Sequence, residues 1–215
     1  AMATAPLPDE LDVLVVGAGP SLPKSLPEVL TANIQVLACD RALKTVQSWP
    51  EKCITVVLEG TQSSLKDLDG WWKGCDRTGP LVLPLNVEPD LPDLWEGPVY
   101  WFSPHTVFPE LQRLGWRVWH RTGMHGIATG STVGVLATVI GYNRLKMKDA
   151  PANLYWTGMD CCVYEPPEEA HCVVQSMDGR TAYLPWNFFI AQYELRFLAK
   201  ESFKAGVQVL NLSGS

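Results

Sequence analysis

The chain has 215 residues, 47% of them hydrophobic and 19% charged, with a formal net charge of −6. That is enough apolar material for one sizeable globular core, and the acidic balance opposes a broad electrostatic grip on nucleic acid or an anionic membrane. No apolar run reaches the roughly 18 to 20 residues that span a bilayer, and no basic-then-apolar leader opens the chain, so the expectation is a cytoplasmic protein.

In chain order, Leu11 to Val16 is a short apolar run of the kind buried on both faces of a sheet, and it ends in Gly17-Ala18-Gly19-Pro20-Ser21. A helix over Pro23 to Leu30 should follow, with Ser21 as a suitable cap and Pro27 as a weak point. Ile34 to Cys39 predicts a second strand ending at Asp40, then a helix from Ala42 to Trp49, and Ile54 to Leu58 a third strand ending at Glu59. Strand, helix and strand at this spacing require parallel crossovers, hence an α/β fold with a doubly wound, mostly parallel sheet and helices on both faces.

Leu81 to Leu85 and Val99 to Phe102 add two strands, while the prolines between 84 and 109 predict an irregular or lid-like excursion. Thr129 to Tyr142, rich in small and β-branched residues, predicts a buried helix packed closely on the sheet. Leu154 to Met159 is a strand ending at Asp160, Tyr183 to Lys204 a core-facing helix, and Val207 to Leu212 a last strand after the helix stop Gly206. With no internal repeat or linker, residues 1–215 read as a single nucleotide-binding domain.

The glycine turn carries the first chemical signal. Glycines there allow a tight bend and close approach of a ligand, and exposed amides with the positive end of a helix favour phosphate. Leu22 stands where a dinucleotide fingerprint has its third glycine, and the Gly-Lys-Ser/Thr of a Walker A loop is missing. Asp40, Glu59 and Asp160 each follow a strand and emerge at the carboxyl edge of the sheet, where ligands bind. There they could hold Mg²⁺ or ribose hydroxyls, or equally cap helices and pair with Arg41. His171 is a candidate general base and His125 a candidate positioning residue. The six cysteines lack metal-ligand spacing and read as reduced structural thiols, and the tryptophans as core.

With those residues in place, the chain resembles the 6-hydroxymethylpterin diphosphokinase-like family, which includes the core of flagellin-modifying motility accessory factors. The residues that carry the resemblance are Leu14 to Leu22, Cys39-Asp40-Arg41-Ala42-Leu43, Thr129-Gly130-Ser131-Thr132 through Tyr142, Trp156 to Asp160, His171, and Val209 to Ser213. The Gly-x-Gly-Pro-Ser-Leu element is also similar to that of Rossmann-like bacterial sialyltransferases.

The first resemblance implies transfer of a pyrophosphoryl group from ATP, with Mg²⁺, to a hydroxymethyl acceptor such as a reduced pterin. The second implies a CMP-sugar donor. A third expectation is a non-catalytic nucleotide-binding or assembly module. On these readings Gly17, Ala18, Gly19, Pro20, Ser21, Asp40, Ser131 and Asn211 bind the nucleotide, Asp40, Glu59 and Asp160 hold the metal, and His171 and Asp160 are catalytic. The chain departs from the first family in carrying Glu59 where an aspartate is usual and an insertion-like stretch from Asn143 to Asn153. The expected partners are a small-molecule nucleotide and its acceptor, and a homo-oligomer is compatible with the sequence.

Overall fold

The structure, a computed structural model, describes residues 12–22, 34–46, 53–58, 68–105, 113, 117, 120–121, 126–147, 151–167, 172–175 and 179–213. The helix expected over 23–30 lies outside them.

Eight strands form one sheet: β1 (Asp12–Val16), β2 (Ile34–Cys39), β3 (Cys53–Val56), β4 (Leu81–Pro84), β5 (Val99–His105), β6 (Gly126–Ala128), β7 (Ala152–Thr157) and β10 (Val207–Asn211). Their order is β10-β7-β1-β2-β3-β4-β5-β6 and every pairing is parallel. The fold is α/β and Rossmann-like. β8 (Cys172–Gln175) and β9 (Thr181–Leu184) make a separate antiparallel hairpin.

The central strands are buried because both faces of the sheet are covered, which explains their unbroken apolar runs. Alternate residues divide between two cores. Val13, Val15, Leu37, Cys39, Ile54 and Val56 face helices α2 (Val133–Leu145) and α3 (Trp186–Lys204) through Val135, Leu136, Leu145, Ala191 and Leu195. Leu14, Val16, Val36 and Ala38 face the other way, onto Leu43 and Val46 of the short helix α1 (Leu43–Val46), Leu68, Trp72, Leu91 and Trp95.

On that second face Trp72 and Trp95 meet edge to face, centroids 5.2 Å apart. Their ring N–H groups donate to the carbonyls of Asp40 (3.1 Å) and Gly79 (2.7 Å), so neither indole is buried with an orphan donor. The segment 85–98 is irregular apart from a 3₁₀ turn at Pro92–Leu94, and its Leu91 and Trp95 are part of this core.

α2 packs closely because its sheet-facing residues are small. A Cβ on Gly141 would stand 3.0 Å from both Leu154 Cδ1 and Val13 Cγ1, and the Thr138 hydroxyl is satisfied by the Gly134 carbonyl at 2.8 Å. The sequence expectation of a tightly packed helix is met, with the first helical residue at Val133 rather than Thr129. Where the aromatic helix was expected from Tyr183, Thr181–Leu184 is strand β9 and Pro185 precedes the first helical turn. Gly141→Leu should therefore lower stability by about 1–3 kcal/mol through overpacking; a denaturant midpoint unchanged from wild type would refute the close approach.

Candidate functional site

β1 has β2 on one side and β7 on the other, so the direction of winding reverses between β1 and β7. Beyond the carboxyl ends of strands at such a switch point a crevice forms, the usual ligand position in open α/β sheets. Here it is a cleft of about 610 Å³. Its floor is Gly17 to Pro20, one side is Asp40 and Arg41, another is Ser131 to Gly134, and the remaining wall is Gly158, Met159, Cys161 to Glu165, Asn187 and Phe188.

The glycine turn is held chiefly by protein. Gly17 N–H donates to Thr157 O and Gly19 N–H to Gly158 O, both at 2.8 Å. Ser21 N–H donates to Asp160 Oδ2 at 2.8 Å, and Leu22 N–H to Gly19 O at 3.1 Å. Pro20 has no N–H, which leaves Ala18 as the turn residue whose amide donates to no described residue. A Cβ on Gly17 or Gly19 would collide with the Gly158 carbonyl, and one on Gly19 also with the Asp160 carboxylate. Both glycines are thus required for β1 and β7 to close against each other.

Asp160 sits behind the turn rather than on the cleft surface: its Oδ2 holds Ser21, and its Oδ1 is buried with no hydrogen-bond partner among the described residues. Asn211, exposed at the end of β10, is not part of the cleft lining either. Its Oδ1 accepts from Ser213 N at 3.0 Å, and Ser213 Oγ in turn accepts from Met159 N at 3.3 Å, tying the end of β10 to the turn after β7. Both residues therefore position the site's backbone.

Asp40 and Arg41 border the cleft. The Asp40 carboxylate accepts from the Arg41 amide at 2.5 Å, and the Arg41 guanidinium lies over the Trp71 ring, 3.9 Å from its centroid. That stacking pre-orients the cation. Trp71 packs against the second-face core, as expected of a tryptophan here, and in addition carries Arg41, a contact between residues distant in the chain that no local pattern signals.

At the start of α2, Thr132 caps the helix, its Oγ1 accepting from Val135 N at 3.4 Å. Ser131 donates through N (2.9 Å) and Oγ (2.5 Å) to Glu194 of α3. Val133 and Gly134 border the cleft, and as first-turn residues their amides have no intrahelical partner, so this helix start favours negative charge.

Residues 161–165 form a wall that no pattern in the sequence signals. Cys161 has φ 50°, a left-handed conformation uncommon for a side chain of this type. Val163 is bridged to Tyr183 in both directions (2.9 and 2.8 Å), and Tyr164 lies beneath the Arg180 guanidinium. Burial, then the charges of Asp160 and Cys162, push the Cys161 thiol up to about 12, and burial likewise raises Cys39. Both shifts favour the neutral thiol, the less nucleophilic form.

Glu59, His125 and His171 lie outside the described residues, and among the described residues no three His, Cys, Asp or Glu side chains gather to hold a metal ion. No described helix is long and apolar enough to cross a membrane. Compared with protein-family models, curated proteins and solved structures, the chain matches none.

Two outcomes follow. Gly19→Ala should destabilise the ligand-free chain by about 1–3 kcal/mol, because the clash is with protein backbone and carboxylate; a thermal midpoint equal to wild type, with only ligand binding impaired, would contradict this. Cys161 should resist iodoacetamide in the folded chain near neutral pH, as peptide mass mapping would read, and modification at the rate of an ordinary free thiol would show the site is open.

Proposed function

We propose that the chain is a nucleotide-dependent transferase whose nucleotide lies in the switch-point cleft. The observation that carries this reading is the convergence there of the Gly17–Pro20 turn, the Asp40–Arg41 pair and the first turn of α2. Phosphates would lie between the Ala18 amide, the Val133 and Gly134 amides and the pre-oriented Arg41, which meet anionic oxygens with donors and a positive field. Asp40 would accept ribose hydroxyls or share a Mg²⁺ ion. Mg²⁺ commonly uses one or two carboxylates plus substrate phosphates, so a cleft offering Asp40 suits an ion that arrives with the nucleotide.

The preferred donor is ATP, and the reaction is movement of a phosphoryl or pyrophosphoryl group to the hydroxyl of a small acceptor such as a hydroxymethyl pterin. Such transfers need positioning and charge stabilisation more than covalent catalysis. The acceptor would occupy the wall of Tyr164, Glu165, Asn187 and Phe188, which combines ring faces with a carboxylate and an amide. His171 is the proposed base for the acceptor hydroxyl. Asp160 acts through the turn it holds.

Calorimetric titration with ATP, CTP and CMP, each with Mg²⁺, tests the reading. ATP should bind best, and Arg41→Ala should weaken it about tenfold or more, the scale of a charge-assisted contact. Preference for CMP would assign a sugar-nucleotide donor instead. Absence of binding by all three would sink the proposal, and binding without turnover, indifferent to His171→Ala, would assign a non-catalytic module.

A further inference from the structure

α3 presents two unlike faces. Ala191, Leu195 and Ser202 are buried against the sheet side, with Leu198 and Ala199 packed beside them. On the opposite side Trp186, Phe189, Tyr193 and Phe197 follow one another at the three- and four-residue steps that align side chains along a helix. Trp186, Tyr193 and Phe197 are 57%, 59% and 62% exposed. Within the stripe Trp186 stacks on Phe189 (5.7 Å between centroids), and Phe189 meets Tyr193 edge to face at 5.2 Å. Three rings are in contact from Trp186 to Tyr193, and Phe197 continues the line one turn on.

We propose that this ridge is a homodimer interface, in which α3 of a second copy packs antiparallel across it about a two-fold axis at Tyr193. Spacing and charge select this occupant. Trp186 lies seven positions before Tyr193 and Lys200 seven positions after it. A two-fold at Tyr193 therefore sets Phe189 against Phe197 of the second copy and Trp186 against its Lys200, giving aromatic pairs in the middle and a cation beside an indole at each end.

The charge pattern agrees. Residues 186–193 contain no charged side chain, whereas Glu194, Arg196, Lys200, Glu201 and Lys204 follow. Antiparallel pairing lays the uncharged half of each helix on the charged half of the other, so like charges are not brought face to face. A chain carrying −6 is a poor match for an anionic bilayer. Aromatic side chains of this size, a little over half exposed, supply about 100–150 Å² each, so with Phe189 and the Lys200 stem two copies would bury roughly 1,000 Å², the lower bound for a specific interface. α3 also contributes Asn187 and Phe188 to the cleft and Glu194 to the start of α2, so the dimer would brace the helix that forms part of the site.

Sedimentation equilibrium of the full chain, up to about 100 μM, should show a monomer–dimer equilibrium, since an interface of this size associates weakly. Tyr193→Glu and Phe197→Glu should each give monomer throughout with unchanged circular dichroism, because both positions are exposed. Tyr193→Cys should be crosslinked to itself by a short bismaleimide, whereas Met147→Cys, 83% exposed in the turn after α2, should not be crosslinked above the wild-type background. A wild-type chain monomeric at every concentration, or a dimer insensitive to Tyr193→Glu, overturns the proposal. So does a monomer that co-sediments with phosphatidylcholine vesicles, which would assign the ridge to a membrane surface.

Discussion

The structure depends on the junction at which β1 and β7 leave the sheet together. Two backbone hydrogen bonds, from Gly17 to Thr157 and Gly19 to Gly158, extend the parallel ladder beyond the ends of the strands and bring two turns into van der Waals contact. Only residues without a Cβ can sit there. The Asp160 carboxylate completes the junction by holding the Ser21 amide, and Asn211 with Ser213 anchors its other side. Everything that borders the cleft is placed relative to this contact.

The junction changes what the glycine turn means. Amides that a bare sequence motif offers to phosphate are mostly committed to carbonyl and carboxylate oxygens of the protein, and what remains for a ligand is Ala18 and a shaped floor. The positive features of the cleft come from elsewhere: Arg41, held by Trp71, and the start of α2. A carboxylate, Glu194, already satisfies Ser131 beside that helix start, so an incoming anion would meet the Val133 and Gly134 amides more readily than the Ser131 hydroxyl.

The same economy recurs on the second face of the sheet. The indole of Trp72 is fully buried, and its N–H holds the Asp40 carbonyl, so a core residue sets the backbone from which a cleft residue projects. Trp71, its neighbour, carries Arg41. Both tryptophans pack in this core, and Trp71 presents a charge as well, a second role that composition could not reveal.

The strand order's raw material was legible in the chain itself: buried parallel strands read as near-continuous apolar runs, so Leu11 to Val16, Ile34 to Cys39 and Leu154 to Met159 stand out, and they mark strands Asp12–Val16, Ile34–Cys39 and Ala152–Thr157 to within two residues at each end. The close packing of α2 was legible for a similar reason, since Gly134, Ala137 and Gly141 are small on one face. The β8–β9 hairpin and three-residue β6 were not, being strands of three or four residues, too short to show a period, with β6 and β8 mostly exposed. Tertiary structure alone decided that Asp160 faces the turn rather than the cleft, that Arg41 stacks on Trp71, and that 161–165 forms a wall. Those outcomes depend on where side chains from distant positions meet, and a local pattern carries no information about which of its neighbours in space will take its hydrogen bonds first.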